Sequence, residues 1–405
     1  MIGSQQLVID AAEFLKGASS DFEISDGGFS PQTEGVNLTA EPGVIYGPAA
    51  QVDGDSDVIL DDEIIASCPD AAPSSPFDRM VMTDDGDFMS YNGTKLADVT
   101  NGQDTTRTYT KGTSDMVAWL GRIYFTSLEQ LGEWQLPSTF NFTFHAFASS
   151  AADPPHPLLV FENNLYIGDG NLLKRMTTAG GTVSTILTLG TNEFITALGV
   201  DSGTGKMLIA TSYGQNASDT IARINKILWY DGFSVKVSKS AIVEDRVTAF
   251  HSHAGNAFVG YGTNIGYVNG SGITFLKKLL NVTLTQDELP IKQNFASIGN
   301  TMFVIDKTII WAYGPVRNNG SSVWYPFFTS VGNPQCIFNA GNNKLGFSTT
   351  ISAIPSFRTI STTSVSNTDG FLFFTNWITF PRPVHVRSIT IHFNEAIVSS
   401  ANWTF

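Results

Sequence analysis

Charged residues are scarce in this chain. They make up 15% of its 405 residues, whereas about 25% is usual in soluble proteins. Lysine and arginine together number 23 against 37 aspartates and glutamates, which gives a net charge of −14. Nonspecific affinity for nucleic acid depends on lysine and arginine displacing counterions from phosphates. The charge balance therefore argues against a high-affinity DNA- or RNA-binding module.

Cysteine is nearly absent as well. Cys68 and Cys336 are far apart in the sequence, and neither belongs to a Cys-x-x-Cys motif or has a Cys/His neighbour. The sequence therefore predicts two small buried thiols rather than a zinc site or a disulfide framework. Phosphate-binding loops of the Walker and dinucleotide types are also missing. We expect neither a cofactor nor a bound metal.

Long apolar runs are the third absence. No uncharged apolar run approaches the roughly 18 residues that a membrane span needs. Residues 1–17 also lack a basic stretch followed by an apolar one, which is the pattern of a signal peptide. We expect neither membrane insertion nor secretion. The hydrophobic content of 42% nevertheless predicts a folded chain.

A degenerate repeat is what the sequence does contain. A short apolar strand pattern, opened by Gly, Asn, Lys or Thr, recurs with spacings of 42, 42, 50, 45 and 43 residues between its central positions. A second strand pattern ends in an aromatic residue and often in an Asn-Gly or Asp-Gly pair, which favours a tight hairpin turn. The first pattern occurs at 121–125, 164–167, 206–209, 256–259, 301–304 and 344–347, and the second at 88–93, 227–232, 265–270 and 309–314.

This period predicts the architecture. A repeat of about 43 residues built only from strands has the length of one four-stranded β-propeller blade. Helical repeats of similar length are excluded because the segments are β-branched, aromatic and interrupted by glycine. Residues 70–350 hold six or seven such periods. The predicted fold class is all-β: a six- or seven-bladed β-propeller with an extended N-terminal arm and a C-terminal β-sandwich-like element.

The flanks differ from the repeats and set the predicted domain limits. Residues 1–57 are interpreted as an extended arm lying on another surface, since they include a Gly/Ser/Pro/Thr-rich stretch with few apolar anchors, and a disordered leader is the alternative. Residues 58–365 form the propeller. Residues 366–405 start the C-terminal β element or close the last blade, because 385–393 alternates like a half-buried strand. Deletion of residues 1–50 is expected to abolish ring assembly and to leave the propeller folded.

Two acidic stretches are candidate ion sites. The stretch at 53–63 carries carboxylates at alternate positions, as calcium loops do, but it departs from the EF-hand pattern, with Gly54 at the second place and Ile64 at the twelfth. We interpret it as a solvated acidic turn. The Asp-Asp-Gly-Asp segment at 84–87 is interpreted as a turn between two strands.

The sequence shows no active site. His251 and His253 would lie on one face of a strand, where such a pair could bind a metal or titrate near neutral pH, but no third ligand is identifiable. We expect them to be structural. No Gly-x-Ser-x-Gly nucleophile motif occurs. We therefore predict no enzymatic activity and no catalytic, cofactor-binding or metal-binding residues.

Several segments resemble β-propeller proteins from tailed-bacteriophage virions, of the tail hub, nozzle or DNA-stabilisation type. The N-terminal part of this resemblance is Gly-Gly-Phe-Ser-Pro at 27–31, followed by Val-Asn-Leu at 36–38 and Pro-Gly-Val-Ile-Tyr at 42–46. The C-terminal part is Phe-Thr-Asn-Trp-Ile at 374–378 with Val-Arg-Ser-Ile-Thr-Ile at 386–391. The degenerate blades of about 43 residues are similar too.

The resemblance implies a structural virion protein of the tail. Such a protein assembles in the host cytoplasm into a homo-oligomeric ring, for example a hexamer, that conducts or retains the genome. Its partners would be the portal or adaptor ring and the tail fibres, with transient nonspecific passage of DNA and no membrane contact. A net-acidic wall is compatible with this role, because it repels phosphates.

Two other functions stay open at this point. A receptor- or glycan-binding propeller would expose aromatic residues on one rim, although the blade cores are the simpler location for them. A polysaccharide-degrading enzyme would need two carboxylates roughly 5 to 10 Å apart in the central tunnel. The aromatic candidates are Trp229, Tyr230, Tyr267 and Trp311.

Overall fold

The structure of this chain is a computed structural model. It describes residues 60–365 except 149–154, 214–223, 280–288, 316–321, 331 and 352–353. It also describes the short strand segments 17–18, 29–30, 33–34, 49–53, 55–56 and 372–373.

Seven large antiparallel sheets follow one another along the chain as the blades of a propeller. In blades one to three, four consecutive strands run from the inner to the outer edge. Blade one comprises Ile64–Pro69, Asp78–Thr83, Asp87–Asn92 and Lys95–Gln103, blade two Met116–Trp119, Arg122–Thr126, Gln130–Gln135 and Thr139–Ala146, and blade three Leu158–Phe161, Asn164–Asp169, Leu172–Met176 and Ser184–Thr188.

Blades four to six repeat this pattern. A 3-10 turn, Lys292–Asn294, precedes the inner strand of blade six. Blade four comprises Glu193–Asp201, Lys206–Tyr213, Asn225–Tyr230 and Lys239–Val243, blade five Val247–His253, Asn256–Tyr261, Asn264–Asn269 and Gly272–Lys278, and blade six Phe295–Ile298, Thr301–Asp306, Ile309–Pro315 and Ser322–Thr329. The fold is thus the predicted all-β propeller, and the blade number is seven.

Blade seven is completed from the other end of the chain. Its three inner strands are Ile337–Gly341, Lys344–Ile351 and Ile354–Val365, and its outer strand is Ala49–Asp53. Seven residues of the stretch predicted as arm, Ala49–Asp53 and Asp55–Ser56, are therefore part of the propeller sheets. The segment Asp55–Ser56 then pairs in parallel with the outer strand of blade one. The N-terminal side of the chain thus joins the last blade to the first.

The repeats seen in the sequence correspond to particular strands. The first pattern falls on the second strand of blades two to seven, and the second pattern falls on the third strand of blades one, four, five and six. Asn92 and Asp231 lie directly before Gly93 and Gly232, whose φ angles are +80° and +86°. Such backbone favours glycine because a Cβ atom would clash. The turn residues therefore fix where each blade reverses.

A hydrophobic cluster lies at each of the seven blade interfaces. The interface that closes the ring joins blade one to blade seven, where Tyr91 packs edge-on against Phe338 and Phe357 at ring-centroid distances of 5.7 and 5.6 Å. Burial of one such side chain contributes about 1.5–3 kcal/mol. Each blade therefore depends on both neighbours for its core.

The outer strand of blade six, Ser322–Thr329, is covered by parts of the N-terminal stretch. The segments Gly17–Ala18 and Thr33–Glu34 lie against it, and four of its aromatic or aliphatic side chains are buried. Thr33–Glu34 also pairs with Leu372–Phe373. The rest of the predicted C-terminal β element, 366–405, lies outside the described residues, as do nearly all of the segments that carry the phage resemblance.

Candidate functional site

Side chains from opposite sides of the ring meet at the propeller axis. Asp115 directly precedes the inner strand of blade two, whereas Lys292 and Gln293 belong to the 3-10 turn before blade six. Lys292 Nζ lies 2.9 Å from both carboxylate oxygens of Asp115, and Gln293 Nε2 donates to Oδ1 at 3.0 Å. We call these three residues the axial staple.

Further hydrogen bonds connect the axial staple to other blades. The Leu158 amide of blade three donates to Asp115 Oδ2 at 2.9 Å, and the Met116 amide donates to Oδ1 at 2.8 Å. Gln293 Oε1 accepts from the Ser67 amide of blade one at 3.1 Å. The carboxylate of Asp115 is therefore buried but fully engaged. It is held by the Lys292 ammonium group and by N–H groups of the same chain. The axial staple therefore spans the propeller axis at this level.

A polar pocket of about 450 Å³ opens on one face of the propeller, beside the axis. Its lining comes mainly from the connections that enter the inner strands of blades six, seven, one and two. The turns between the second and third strands of blades six and one complete it. Carboxylates, lysines and amides line it together with the apolar side chains of Ile65, Ile305 and Pro334. The lining residues are Asp62, Glu63, Ile65, Asp84, Thr110, Lys111, Asn294, Ile305, Lys307, Asn333, Pro334 and Gln335.

Blade one also carries an acidic cluster, whose residues are close in the sequence to the pocket residues Asp62 and Asp84. Carboxylate oxygens of Asp61, Asp85 and Asp87 all lie within 4.8 Å of one another. Burial, with added repulsion from neighbouring carboxylates, raises the pKa of Asp87 to about 6. The Asp84–Gly86 segment forms the predicted turn, with Gly86 at a φ of +90°. Exposed acidic groups commonly lie this close without a cation, so the cluster by itself assigns no metal.

The predicted histidine pair points at a single hydroxyl group. His251 Nε2 lies 2.8 Å from Ser297 Oγ, and His253 Nδ1 lies 3.0 Å from the same oxygen. Ser297 belongs to the inner strand of blade six. The sequence placed the two histidines on one face, but it gave no signal for the serine, which is 44 residues away from His253.

The two cysteines and the four aromatic candidates named in the sequence analysis lie in or against the hydrophobic cores of the propeller, as expected. Cys68 and Cys336 are free thiols and buried, and burial raises the pKa of both. Trp229 and Tyr230 are buried, whereas Tyr267 and Trp311 are partly buried. All four aromatic residues pack in or against the clusters between blades.

Comparisons with known proteins show no relative by sequence. No family model matches this chain, and no curated protein matches it. Among solved structures, it is similar to BamB from Moraxella catarrhalis, with 11% identity and a TM-score of 0.46 over 81% of this chain and 94% of that one. It is also similar to YCF48 bound to D1 peptide, with 8% identity and a TM-score of 0.48 over 82% of this chain and 99% of that one. The fold assignment therefore rests on the strand pairing itself.

No helix in the described part of the chain is long and apolar enough to cross a membrane.

Proposed function

We propose that this chain is a structural virion protein of a tailed bacteriophage, part of the tail ring that conducts or retains the genome, without enzymatic activity of its own. The axial staple is the observation that supports a structural role. A ring-shaped enzyme would act at the axis, but Asp115 there is neutralised by Lys292 and bound by three N–H groups. The phage context comes from the resemblance of the terminal segments.

The closed axis also bears on where DNA would pass. Because side chains span the centre of a single propeller, the genome path in this proposal runs between copies arranged as a ring. The wall would be acidic because the chain has a net charge of −14. Five lysine or arginine side chains of the described residues are in addition engaged in ion pairs with carboxylates. A cation engaged in this way has less affinity for phosphate. Few attractive contacts with a sliding duplex would follow.

The proposal is tested by the mass of the full chain in solution, measured by light scattering, followed by electron microscopy. We expect a ring of six or twelve copies, with each copy visible as a separate lobe that has a filled centre. The same measurement is repeated with a phage portal or adaptor ring. A monomer of 43.8 kDa in both conditions would contradict the proposal.

A deletion tests the role of the arm. The sequence suggested removal of residues 1–50, but Ala49–Asp53 is the outer strand of blade seven. Removal of residues 1–45 leaves this strand in place. We expect the shortened chain to stay folded and to lose ring assembly, and an unchanged ring would contradict the arm's role.

A receptor- or glycan-binding role is the second candidate, and the polar pocket favours it. Its carboxylates, lysines and amides offer both donors and acceptors to a hydroxyl-rich ligand. A glycan array with the full chain tests this role, with Asp62→Asn as the variant that should weaken binding. Cleavage of a bound polysaccharide in the same assay would support the enzyme alternative instead.

A further inference from the structure

The contact between His251, His253 and Ser297 consists of two hydrogen bonds to one hydroxyl oxygen, in addition to ring packing. The two histidines lie at positions i and i+2 of the inner strand of blade five, so their rings share one face. Both rings reach across the interface to one oxygen of blade six, at 2.8 and 3.0 Å. His251 also stacks on Phe295, with ring centroids 5.5 Å apart. The stacking restricts the His251 ring beside the serine.

A fourth residue, Asn300, indicates which partner donates in the hydrogen bonds between the two histidines and Ser297. The backbone of Asn300 bonds to the His253 ring and partly offsets the lowering of its pKa by burial. A bond that favours the protonated ring must use a carbonyl oxygen, which accepts from a ring N–H. Because Nδ1 already lies 3.0 Å from Ser297 Oγ, we assign the bond to the Asn300 carbonyl to Nε2–H, which leaves the lone pair of neutral His253 on Nδ1. Ser297 Oγ–H therefore donates to His253 Nδ1, and Oγ is left to accept from His251 Nε2–H.

We propose that Ser297 is a nucleophilic serine that takes an acyl group from small activated esters, with His253 as its general base. The arrangement has the parts that nucleophilic catalysis needs: a hydroxyl, a base within hydrogen-bond distance and a third group that orients the base. The Asn300 carbonyl has the orienting role. His251 is a positioning residue, because its N–H holds Oγ in place.

The chemical step balances without a further reactant. Ser297 Oγ attacks the ester carbonyl carbon, and its proton moves to His253 Nδ1. A bond forms between Oγ and the carbon, the bond from the carbon to the leaving oxygen breaks, and the proton passes from His253 to that oxygen. The product is an acylated Ser297 and a free alcohol or phenol. The reaction ends at the acylated serine, so it is a single acylation without turnover, and it is compatible with a tail protein that has no enzymatic activity.

Access and charge are both compatible with this role. Ser297 is half-buried, and the chain becomes exposed at Gly299 and Asn300, directly after its strand. Burial lowers the pKa of His251 to about 4, with smaller contributions from His253 and from Lys292, the charged group that acts on His251 from the turn before blade six. Both imidazoles are therefore neutral at pH 7, as a general base must be.

A fluorophosphonate probe tests the proposal, since it reacts with activated serines and releases fluoride. We expect labelling of the full chain at Ser297, located by mass spectrometry of its peptides. Ser297→Ala should abolish the label, and His253→Phe, which keeps a ring beside Phe258, should slow labelling at least 100-fold. Ser240, an exposed serine on the outer strand of blade four, is the internal control and should stay unlabelled.

The pH dependence separates a base from a merely structural histidine and needs no variant. Burial lowers the pKa of His253 below 6.5, so neutral base persists at pH 6.5. The labelling rate of the unaltered protein should therefore be highest above pH 7 and fall as the pH drops through the lowered pKa of His253. No label on the folded chain, equal labelling of Ser240, or a rate that does not change with pH would each overturn the proposal.

Discussion

Replacement of Asp115 by asparagine removes the charge at the centre of the axial staple without a change in shape. The carboxylate accepts five hydrogen bonds, two from Lys292 Nζ and one each from Gln293, Leu158 and Met116. An asparagine amide has one oxygen, and its NH₂ group must face at least one of these donors. The variant therefore leaves a buried N–H group without an acceptor.

The magnitude follows from these contacts. A buried donor without a partner costs about 1–3 kcal/mol. The lost attraction to Lys292 adds at most about 1 kcal/mol, because that side chain is 38% exposed and finds water. Asp115→Asn should then cost about 3 kcal/mol in unfolding free energy. Lys292→Met should cost only about 1 kcal/mol, since the Asp115 carboxylate keeps its three N–H donors.

Thermal unfolding followed by calorimetry distinguishes these two costs. For about 300 ordered residues the unfolding entropy is on the order of 0.6 kcal/mol/K, so Tm should fall by about 5 °C for Asp115→Asn and by about 2 °C for Lys292→Met. Glu162→Gln removes the same charge from an exposed turn and should change Tm by less than about 1 °C. Equal losses from the two staple variants, or a larger loss from Lys292→Met, would refute the reasoning.

Three other variants test packing and charge. Gly132→Ala places a Cβ atom inside the Phe125 ring and should cost about 1–3 kcal/mol in urea unfolding, whereas Gly272→Ala meets no atom within 4 Å and should be tolerated; equal effects would contradict this packing. Phe347→Ala empties part of the cluster between blades six and seven and should cost about 3–5 kcal/mol by the same assay, and a cost below about 1 kcal/mol would show that the interface is loose. Asp87→Asn should raise Tm at pH 7.5, because the carboxylate with its pKa of about 6 is ionised there at a cost that the amide lacks. This gain should shrink as the pH falls from about 6 and vanish below the unfolded pKa of 3.8, where Asp87 is protonated in both states, and a gain that is undiminished near pH 3.5 would contradict the raised pKa.

The propeller could be predicted because its signals are local. The strand at 206–209 alternates between two buried faces and the turn at Asp231 ends in glycine, and both features depend on neighbours a few residues away. The second strand of blade one, Asp78–Thr83, was missed by the repeat pattern because Asp78 and Arg79, and not Gly, Asn, Lys or Thr, precede its Met-Val-Met core. Burial of Cys68 and Trp229 also followed from residue type alone.

The closure of the ring could not be predicted in the same way. Gln51 pairs with Ile360, and no periodicity within either segment indicates that they meet. The stretch at 1–57 has few apolar anchors, so its composition favoured an arm that runs over another surface. Blade seven needs an outer strand, and the backbone hydrogen bonds that satisfy this need are available from any extended segment.

By itself, the sequence determined the class of fold, the length of a blade, the strand positions within it and the scarcity of free cations, since all of these depend on composition and on neighbours in the chain. Only the tertiary structure decided which groups meet at the axis and between blades. Asp115 and Lys292 are separated by 177 residues, and Ser297 and His253 lie on different blades. Their contacts depend on how seven sheets close into a ring, which is a property of the packed interfaces and of no single segment.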